Sequence, residues 1–299
     1  MNPLIIGTRG SPLALAQVKI VRDLLQKTSP TLPVETKVIS TGGDNFTNLS
    51  LTAGGGKGLF TKEIEDQLLQ GEIHVAVHSL KDLPTILPQG LLIGAVPPRE
   101  DVHDVFISKK FSSAPELPNG ARVATSSIRR RAQLLAKRPD LQIEEIRGNV
   151  ETRLRKLEEN DSLDALILAA AGLRRLGLWK TYGKLHWQEI DFEWMLPAVG
   201  QGAIACEVCE SDTATREIMT LINDSSAAAC TTAERVFLQA LGGGCQVPYA
   251  AYATVESETL QMLGATFSPD GKNVRRTEIV GSKNDPRDVG ERAAKQVLG

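Results

Sequence analysis

Short apolar runs alternate with helical patterns along this chain, and the whole alternation occurs twice. Leu4-Ile5-Ile6 reads as a buried strand. Ser11 is placed to cap the next helix, and Pro12 suits its first position. Leu13, Ala16, Ile20 and Leu24 then recur on one face. Val34 to Ile39 alternates as a strand, and Thr61 to Leu69 reads as a helix after a glycine-rich loop. Val75-Ala76-Val77 and Leu91-Leu92-Ile93 add two short strands. This predicts a mostly parallel, doubly wound sheet with helices on both faces. Two prolines and three charges then interrupt the pattern at Val96 to Asp101.

After that break the pattern restarts. Val105-Phe106-Ile107, Val123-Ala124-Thr125, Ile143 to Ile146 and Ala165 to Leu168 read as strands. Ser126 or Ser127 caps a helix to about Lys137, and Val150 to Glu158 forms another. Thr8-Arg9-Gly10-Ser11 and Thr125-Ser126-Ser127 both follow a strand and open a helix. The expectation is two similar α/β lobes facing each other across a cleft. Beyond Met219 the texture changes. A helix over Ala227 to Leu241, strands over Ala250 to Val255, Leu260 to Phe267 and Val274 to Val280, and a helix over Pro286 to Leu298 predict a small α+β domain.

The net charge of −2 over 299 residues gives no global field toward nucleic acid or a membrane. Aromatic residues are 4%, too few for base-stacking platforms, so no nucleic-acid partner is expected. No apolar run reaches membrane-span length, and the first residues lack a secretory pattern. The four cysteines show no disulfide-scaffold spacing, which predicts a reducing cytoplasm.

Several constellations carry chemistry. Gly242-Gly243-Gly244-Cys245 leaves a thiol unscreened by side chains, open to thioether formation with a large group. The other reading is a tight turn with a bystander thiol. Arg129, Arg130 and Arg147 stand where strands hand over to helices, where α/β sheets bind anions and guanidinium forks suit carboxylates. Arg131, Arg138 and Arg155 read equally well as a solvated face. Arg9 and Ser11 repeat the arrangement in the first lobe. Gly54-Gly55-Gly56-Lys57-Gly58 fails the phosphate-loop pattern because no Ser or Thr follows Lys57. It reads as a surface loop or as a lid bringing Lys57 or Lys62 over an anion. Val77-His78-Ser79-Leu80-Lys81-Asp82 ends a strand with polar groups, where Asp82 is suited to moving protons or stabilising a cation. Cys206-Glu207-Val208-Cys209 has CxxC spacing but lies in an apparent strand, and there is no second CxxC, so no metal site is expected.

Taken in order, these segments resemble the porphobilinogen deaminase (hydroxymethylbilane synthase) family. The resemblance also covers Arg147-Gly148-Asn149-Val150, Leu196-Pro197-Ala198-Val199-Gly200-Gln201-Gly202 and Gly243-Gly244-Cys245-Gln246-Val247-Pro248. It implies two lobes like those of type II periplasmic binding proteins plus a third domain. The divisions would be 1–97 with 198–216, then 98–197, then 217–299. It implies a transferase of tetrapyrrole biosynthesis that condenses four porphobilinogen molecules head to tail and releases ammonia at each step; nothing in the sequence demands more than a cytoplasmic monomer. A dipyrromethane cofactor would be held by a thioether to Cys245. Asp82 would be catalytic and contact pyrrole N–H groups. Lys81, Thr125, Ser127, Arg129, Arg130 and Arg153 would hold the cofactor's carboxylates. Arg9, Ser11, Arg147, Arg153 and Arg175 would engage porphobilinogen or the growing chain, with Lys57 and Lys62 on a mobile lid. Asn48 and Cys209 depart from the family pattern, which has aspartate and arginine there. The competing readings are a non-catalytic two-lobed binder of a carboxylate-rich ligand and a zinc-stabilised scaffold.

Overall fold

The computed structural model describes residues 2–42, 61–243 and 248–299. Lys57, Asn48 and Cys245 lie outside them. The strands are β1 (Leu4–Thr8), β2 (Val34–Val38), β3 (Val75–Ser79), β4 (Leu91–Ala95), β5 (Asp104–Ser108), β6 (Arg122–Ala124) and β7 (Gln142–Glu144). They continue with β8 (Ala165–Ala169), β9 (His186–Glu189), β10 (Ile204–Cys209), β11 (Tyr249–Glu256), β12 (Thr259–Phe267) and β13 (Val274–Ser282). The helices are α1 (Pro12–Thr28), α2 (Lys62–Leu69), α3 (Ile128–Lys137), α4 (Val150–Glu159) and α5 (Ala170–Arg175). After them come α6 (Leu178–Thr181), α7 (Thr213–Thr220), α8 (Ser225–Ala240) and α9 (Pro286–Leu298). Two compact units emerge, Met1–Arg99 with Ala203–Ala228, and Glu100–Gly202 with Ala229–Gly299.

The first unit holds a five-stranded sheet ordered β2-β1-β3-β10-β4. β1 runs parallel to β2 and β3, and β10 runs antiparallel to β3 and β4. One face packs Val18, Val21 and Leu25 of α1 with Met219 of α7. The other packs Ile64 and Leu68 of α2. Each fully buried aliphatic side chain contributes about 1.5–3 kcal/mol. The α1 face differs from expectation: Ala14, Val18, Val21 and Leu25 are its buried centre, while Leu13, Ala16, Ile20 and Leu24 flank it. The apolar stripe is wide, and periodicity alone does not locate its midline.

The second unit repeats the plan, with order β7-β6-β8-β5-β9. β6 runs parallel to β7 and β8, and β5 runs antiparallel to β8 and β9. Leu134 of α3 packs on one face, and Leu154, Leu157 and Leu173 of α4 and α5 on the other. In both sheets the fourth position is the lone antiparallel strand. The expected strand over Ile143 to Ile146 is shorter. It ends at Glu144, because the Ser126 hydroxyl accepts from Ile146 N (3.1 Å) and donates to Ile146 O (2.5 Å). That double bond draws the chain out of the ladder.

β11-β12-β13 forms an antiparallel meander in the same unit, with α8 and α9 packed through Phe237, Val289 and Ala293. The buried Glu234 carboxylate accepts from Gly200 N (2.8 Å) and Ala253 N (2.9 Å). The α/β class and the small α+β part are therefore as the sequence predicts.

Gly202 has φ 84°, and a Cβ there would stand 2.3 Å from the Glu100 carbonyl oxygen. Gly202→Ala is expected to destabilise the protein by at least about 2 kcal/mol. Urea unfolding checks this, and a midpoint equal to wild type would refute the close approach.

Candidate functional site

Among the described residues, the expected site residues cluster toward the carboxyl edge of each sheet. In the first unit β1 leads into Arg9 and Ser11, and β3 leads into Lys81 and Asp82. β1 and β3 are adjacent and parallel, so both ends emerge at one edge. Ser11 is the α1 N-cap, and its side chain accepts from Ala14 N at 3.3 Å. After β3 the chain makes one 3-10 turn, Leu80–Asp82, closed by Leu83 N donating to Leu80 O at 3.2 Å. Leu80 and Leu83 are buried on either side, and Pro84 forbids a longer helix. This anchors an exposed Asp82 beside a half-buried Lys81. Lys62 stands in the first turn of α2 and pairs with Asp66 at 2.6 Å, so it belongs to a helix and not to a lid loop.

Beneath that edge lies a buried acid cluster for which the sequence carries little signal. His78 pairs across the ladder with Ala205, which puts Glu207 diagonally opposite on the same face. His78 Nε2 lies 3.3 Å from Glu207 Oε2. Glu65 reaches the same face from α2. Burial first, and then the Glu207 charge, push its carboxyl above the ordinary value.

In the second unit the carboxyl ends of β6, β7 and β8 share one edge, because all three are parallel. Thr125 follows β6 and accepts from Ser127 N through its hydroxyl at 3.2 Å. Ser127, not Ser126, is the α3 N-cap, and its hydroxyl accepts from Arg130 N at 3.4 Å. Arg129 and Arg130 lie in that first turn and are buried, 5% and 6% exposed. Arg147 follows β7 and lies 3.4 Å from Glu145. Arg153 Nε donates to Gly148 O at 2.8 Å, which draws Arg153 back toward Arg147. Arg175, at the end of α5, donates through Nη2 to Gly202 O at 2.7 Å.

Asp104 opens β5, and since β5 is antiparallel its first residue arrives at this same edge, opposite Ala169. It is fully buried. Its Oδ1 lies 2.7 Å from Arg130 Nη2, and its Oδ2 lies 2.7 Å from Arg129 Nη1. Burial alone would raise the Asp104 carboxyl, but the two guanidiniums and a hydrogen bond from Gln201 hold it well below the usual carboxylate range. Burial pulls the Arg129 guanidinium down, opposed by Asp104, and likewise that of Arg175, opposed by Glu100. The Nε atoms of Arg129 and Arg175 are buried without a hydrogen-bond partner among the described residues. Sequence reasoning misses Asp104 and Gln201. The available signal is a charge heading the otherwise apolar run Asp104-Val105-Phe106-Ile107.

The other arginines are accounted for structurally. Arg138 clamps Asp140 (2.8 Å) and Leu117 O (3.0 Å). Arg155 faces Glu159 on the α4 surface at 3.9 Å, and Arg131 is exposed. The ligand atoms of Asp101, His103 and Glu189 lie within 4.8 Å of one another. Arg174 already lies 2.7 Å from Asp101 and 2.6 Å from Glu189.

The CxxC thiols face different clusters. Cys206 belongs to the α1 face, while Cys209 packs on the α2 face with its Sγ 3.1 Å from Leu68 O. Burial pushes the Cys206 thiol up to about 12. In native protein at neutral pH, Cys206 is expected to resist iodoacetamide, since only a thiolate reacts quickly. Peptide mass mapping checks this; labelling of Cys206 ahead of Cys209 would contradict its burial.

The fold and this site define an α/β protein that presents cationic side chains at the open ends of its strands. Residues 4–217 match the family model described as "Porphobilinogen deaminase, dipyromethane cofactor binding domain", and residues 228–299 match "Porphobilinogen deaminase, C-terminal domain". A porphobilinogen deaminase of Geobacillus sp. (strain WCH70) is 49% identical over 299 residues, covering 100% of this chain and 94% of that protein. One of Bacillus subtilis (strain 168) is 47% identical over 295 residues, covering 98% and 92%. Among solved structures, the probable amino-acid ABC transporter extracellular-binding protein ytmK from Bacillus subtilis aligns with 74% of this chain and 89% of its own, at 9% identity and a TM-score of 0.45. The chain belongs to the porphobilinogen deaminase family, transferases of tetrapyrrole biosynthesis with a dipyrromethane cofactor. No helix among the described residues is long and apolar enough to cross a membrane.

The residues present fit that cofactor's carboxylates. At the second unit's carboxyl edge two buried guanidiniums share one acid, which leaves a buried positive charge and an Arg129 Nε–H without a partner among the described residues, a setting that suits an anion.

Proposed function

We propose that this chain makes hydroxymethylbilane by four successive head-to-tail condensations of porphobilinogen, releasing ammonia each time, on a dipyrromethane primer attached to Cys245. The observation that carries this is the Arg129–Asp104–Arg130 cluster, short of one negative charge at a sheet's carboxyl edge. When bound, the cofactor would supply the free pyrrole carbon to which the first unit is joined, and each later unit would join the pyrrole added before it.

The placement of the described residues supports the following division of tasks. Arg129, Arg130, Arg153 and Lys81 hold the cofactor's acetate and propionate groups, with Thr125 and Ser127 donating hydroxyl hydrogen bonds. Arg9, Ser11, Arg147 and Arg175, with Arg153 shared, bind the carboxylates of incoming porphobilinogen. Lys57 and Lys62 add positive charge near the entering substrate. Asp82, an exposed carboxylate on an anchored turn, accepts pyrrole N–H groups and stabilises the positive charge that develops as ammonia departs. The backbone leading to Cys245 is prepared for this: Gly242, with φ 65°, caps α8, and Gly243 N donates to Leu238 O at 3.1 Å. We divide the working protein into 1–97 with 198–216, 98–197 and 217–299, and take it to act as a cytoplasmic monomer.

The denatured mass of purified protein tests the proposal. It is expected to exceed the bare chain by two linked pyrrole units, and Cys245→Ser should abolish the excess. Protein lacking the excess should acquire it when porphobilinogen is added. Reversible porphobilinogen binding with no covalent gain would instead mark a non-catalytic binder.

A further inference from the structure

We propose that Asp104 is a positioning residue for cofactor loading: it fixes Arg129 and Arg130 so that one fork edge of Arg129, unspent on the described protein groups, is kept for a single ligand carboxylate. The inference rests on the reading that these arginines hold the dipyrromethane.

The bonding of the three side chains is unequal. Arg130 spends its Nε and Nη2 on Asp104 Oδ1, at 2.9 and 2.7 Å, and its Nη1 on Ile167 O at 2.9 Å. Among the described residues Arg129 spends only Nη1, on Asp104 Oδ2 at 2.7 Å and Leu196 O at 2.5 Å. Its Nε is buried and makes no hydrogen bond to the described residues. Nε and Nη2 together form the edge of a guanidinium that grips a carboxylate with two parallel hydrogen bonds. That edge of Arg129 is the one left over.

Asp104 achieves this by being one acid among two cations. With no acid, two adjacent guanidiniums would repel each other and turn their heads toward water, as long cationic side chains do. With two acids, both forks would be neutralised and closed. One shared carboxylate holds both heads in place and leaves one positive charge over. Gln201 completes the arrangement without changing that charge. Its Nε2 donates to Asp104 Oδ1 (3.0 Å) and Val102 O (2.7 Å), which fixes the carboxylate's rotation. Leu196 is held in turn, since its N donates to Gln133 Oε1 (2.9 Å) and its O accepts from Gln133 Nε2 (3.0 Å).

The test is loading of the covalent adduct, read by denatured mass. Adduct-free wild type, Asp104→Asn and Arg129→Lys are mixed with rising porphobilinogen, using only folded, monodisperse protein. Both variants should need about tenfold more porphobilinogen, or higher, for half-maximal loading. Val297→Ala, a core change in α9, serves as a control for lost stability and should load at the wild-type concentration. Loading of folded Asp104→Asn at the wild-type concentration overturns the inference and leaves the proposed function intact. If Asp104→Asn does not fold, Arg129→Lys decides, because it keeps the charge beside Asp104 and removes only the planar fork. Wild-type-like loading of that variant overturns the inference equally. A wild-type chain that never gains the adduct overturns the proposed function, and this inference with it.

Discussion

Asp82→Asn is expected to keep its covalent adduct while condensation slows about 10²–10⁴-fold. The substitution is nearly isosteric and falls on an exposed residue, so the turn around it should survive. Buried Leu80 and Leu83 hold that turn, and Leu80 N donates to Ala203 O at 3.1 Å. What disappears is the negative charge. A neutral amide still accepts a pyrrole N–H, but it stabilises a developing cation far less. Two measurements separate these effects: denatured mass for the adduct, and the rate of ammonia release for the chemistry. Wild-type ammonia release in the variant would remove Asp82 from the mechanism. Loss of the adduct would show that Asp82 acts earlier, in cofactor assembly.

Arg130→Ala should destabilise the second unit by about 3–5 kcal/mol, the range for removing one partner of a buried ion pair. The variant strands half of the Asp104 carboxylate and leaves the Ile167 carbonyl without the guanidinium. Adduct loading should fall as well. The effect carries a pH signature. Asp104 is held below the ordinary carboxylate value, which is about 3.9 in an unfolded chain. Its stabilisation is therefore complete above that pH and drains away as pH falls toward the folded-state value. Urea midpoints of wild type and Asp104→Asn should differ by a constant amount between about pH 5 and 7, and the gap should begin to close below about pH 4 and keep closing as the pH falls further. A gap that instead widens on acidification would mean the carboxylate is not the stabilised species.

Much of this was legible in the residues themselves. Strand-then-cap segments such as Thr8 to Ser11 and Thr125 to Ser127 announce themselves locally, through an apolar run ended by a hydroxyl and a helix pattern. They prove to follow β1 and β6, which hold the same position in their two sheets. Strand β9 gives no such signal, because His186, Trp187, Gln188 and Glu189 are mostly polar and the strand pairs along one side only. Asp104 is the instructive omission. Its partners are Arg129 and Arg130, brought together only because β5 runs antiparallel to its neighbours. Glu65 and Glu207 escape notice for the same reason: no spacing rule joins a helix residue to a strand so far along the chain. Local signals show where cationic side chains stand, and tertiary pairing decides which of their atoms remain available.

The lone antiparallel strand in each sheet has a consequence for synthesis. The second unit's sheet is drawn from one uninterrupted stretch, Asp104 to Glu189. The first unit's is not: β10 begins at Ile204 yet lies between β3, which ends at Ser79, and β4. A nascent chain therefore carries an unfilled slot between β3 and β4 while the whole of the later sheet is translated. Closing that slot needs a contact between distant residues, which is the slow kind. The earlier-made sheet is thus the later to be finished, and until β10 arrives its two open ladders are the surfaces most in need of a chaperone's protection.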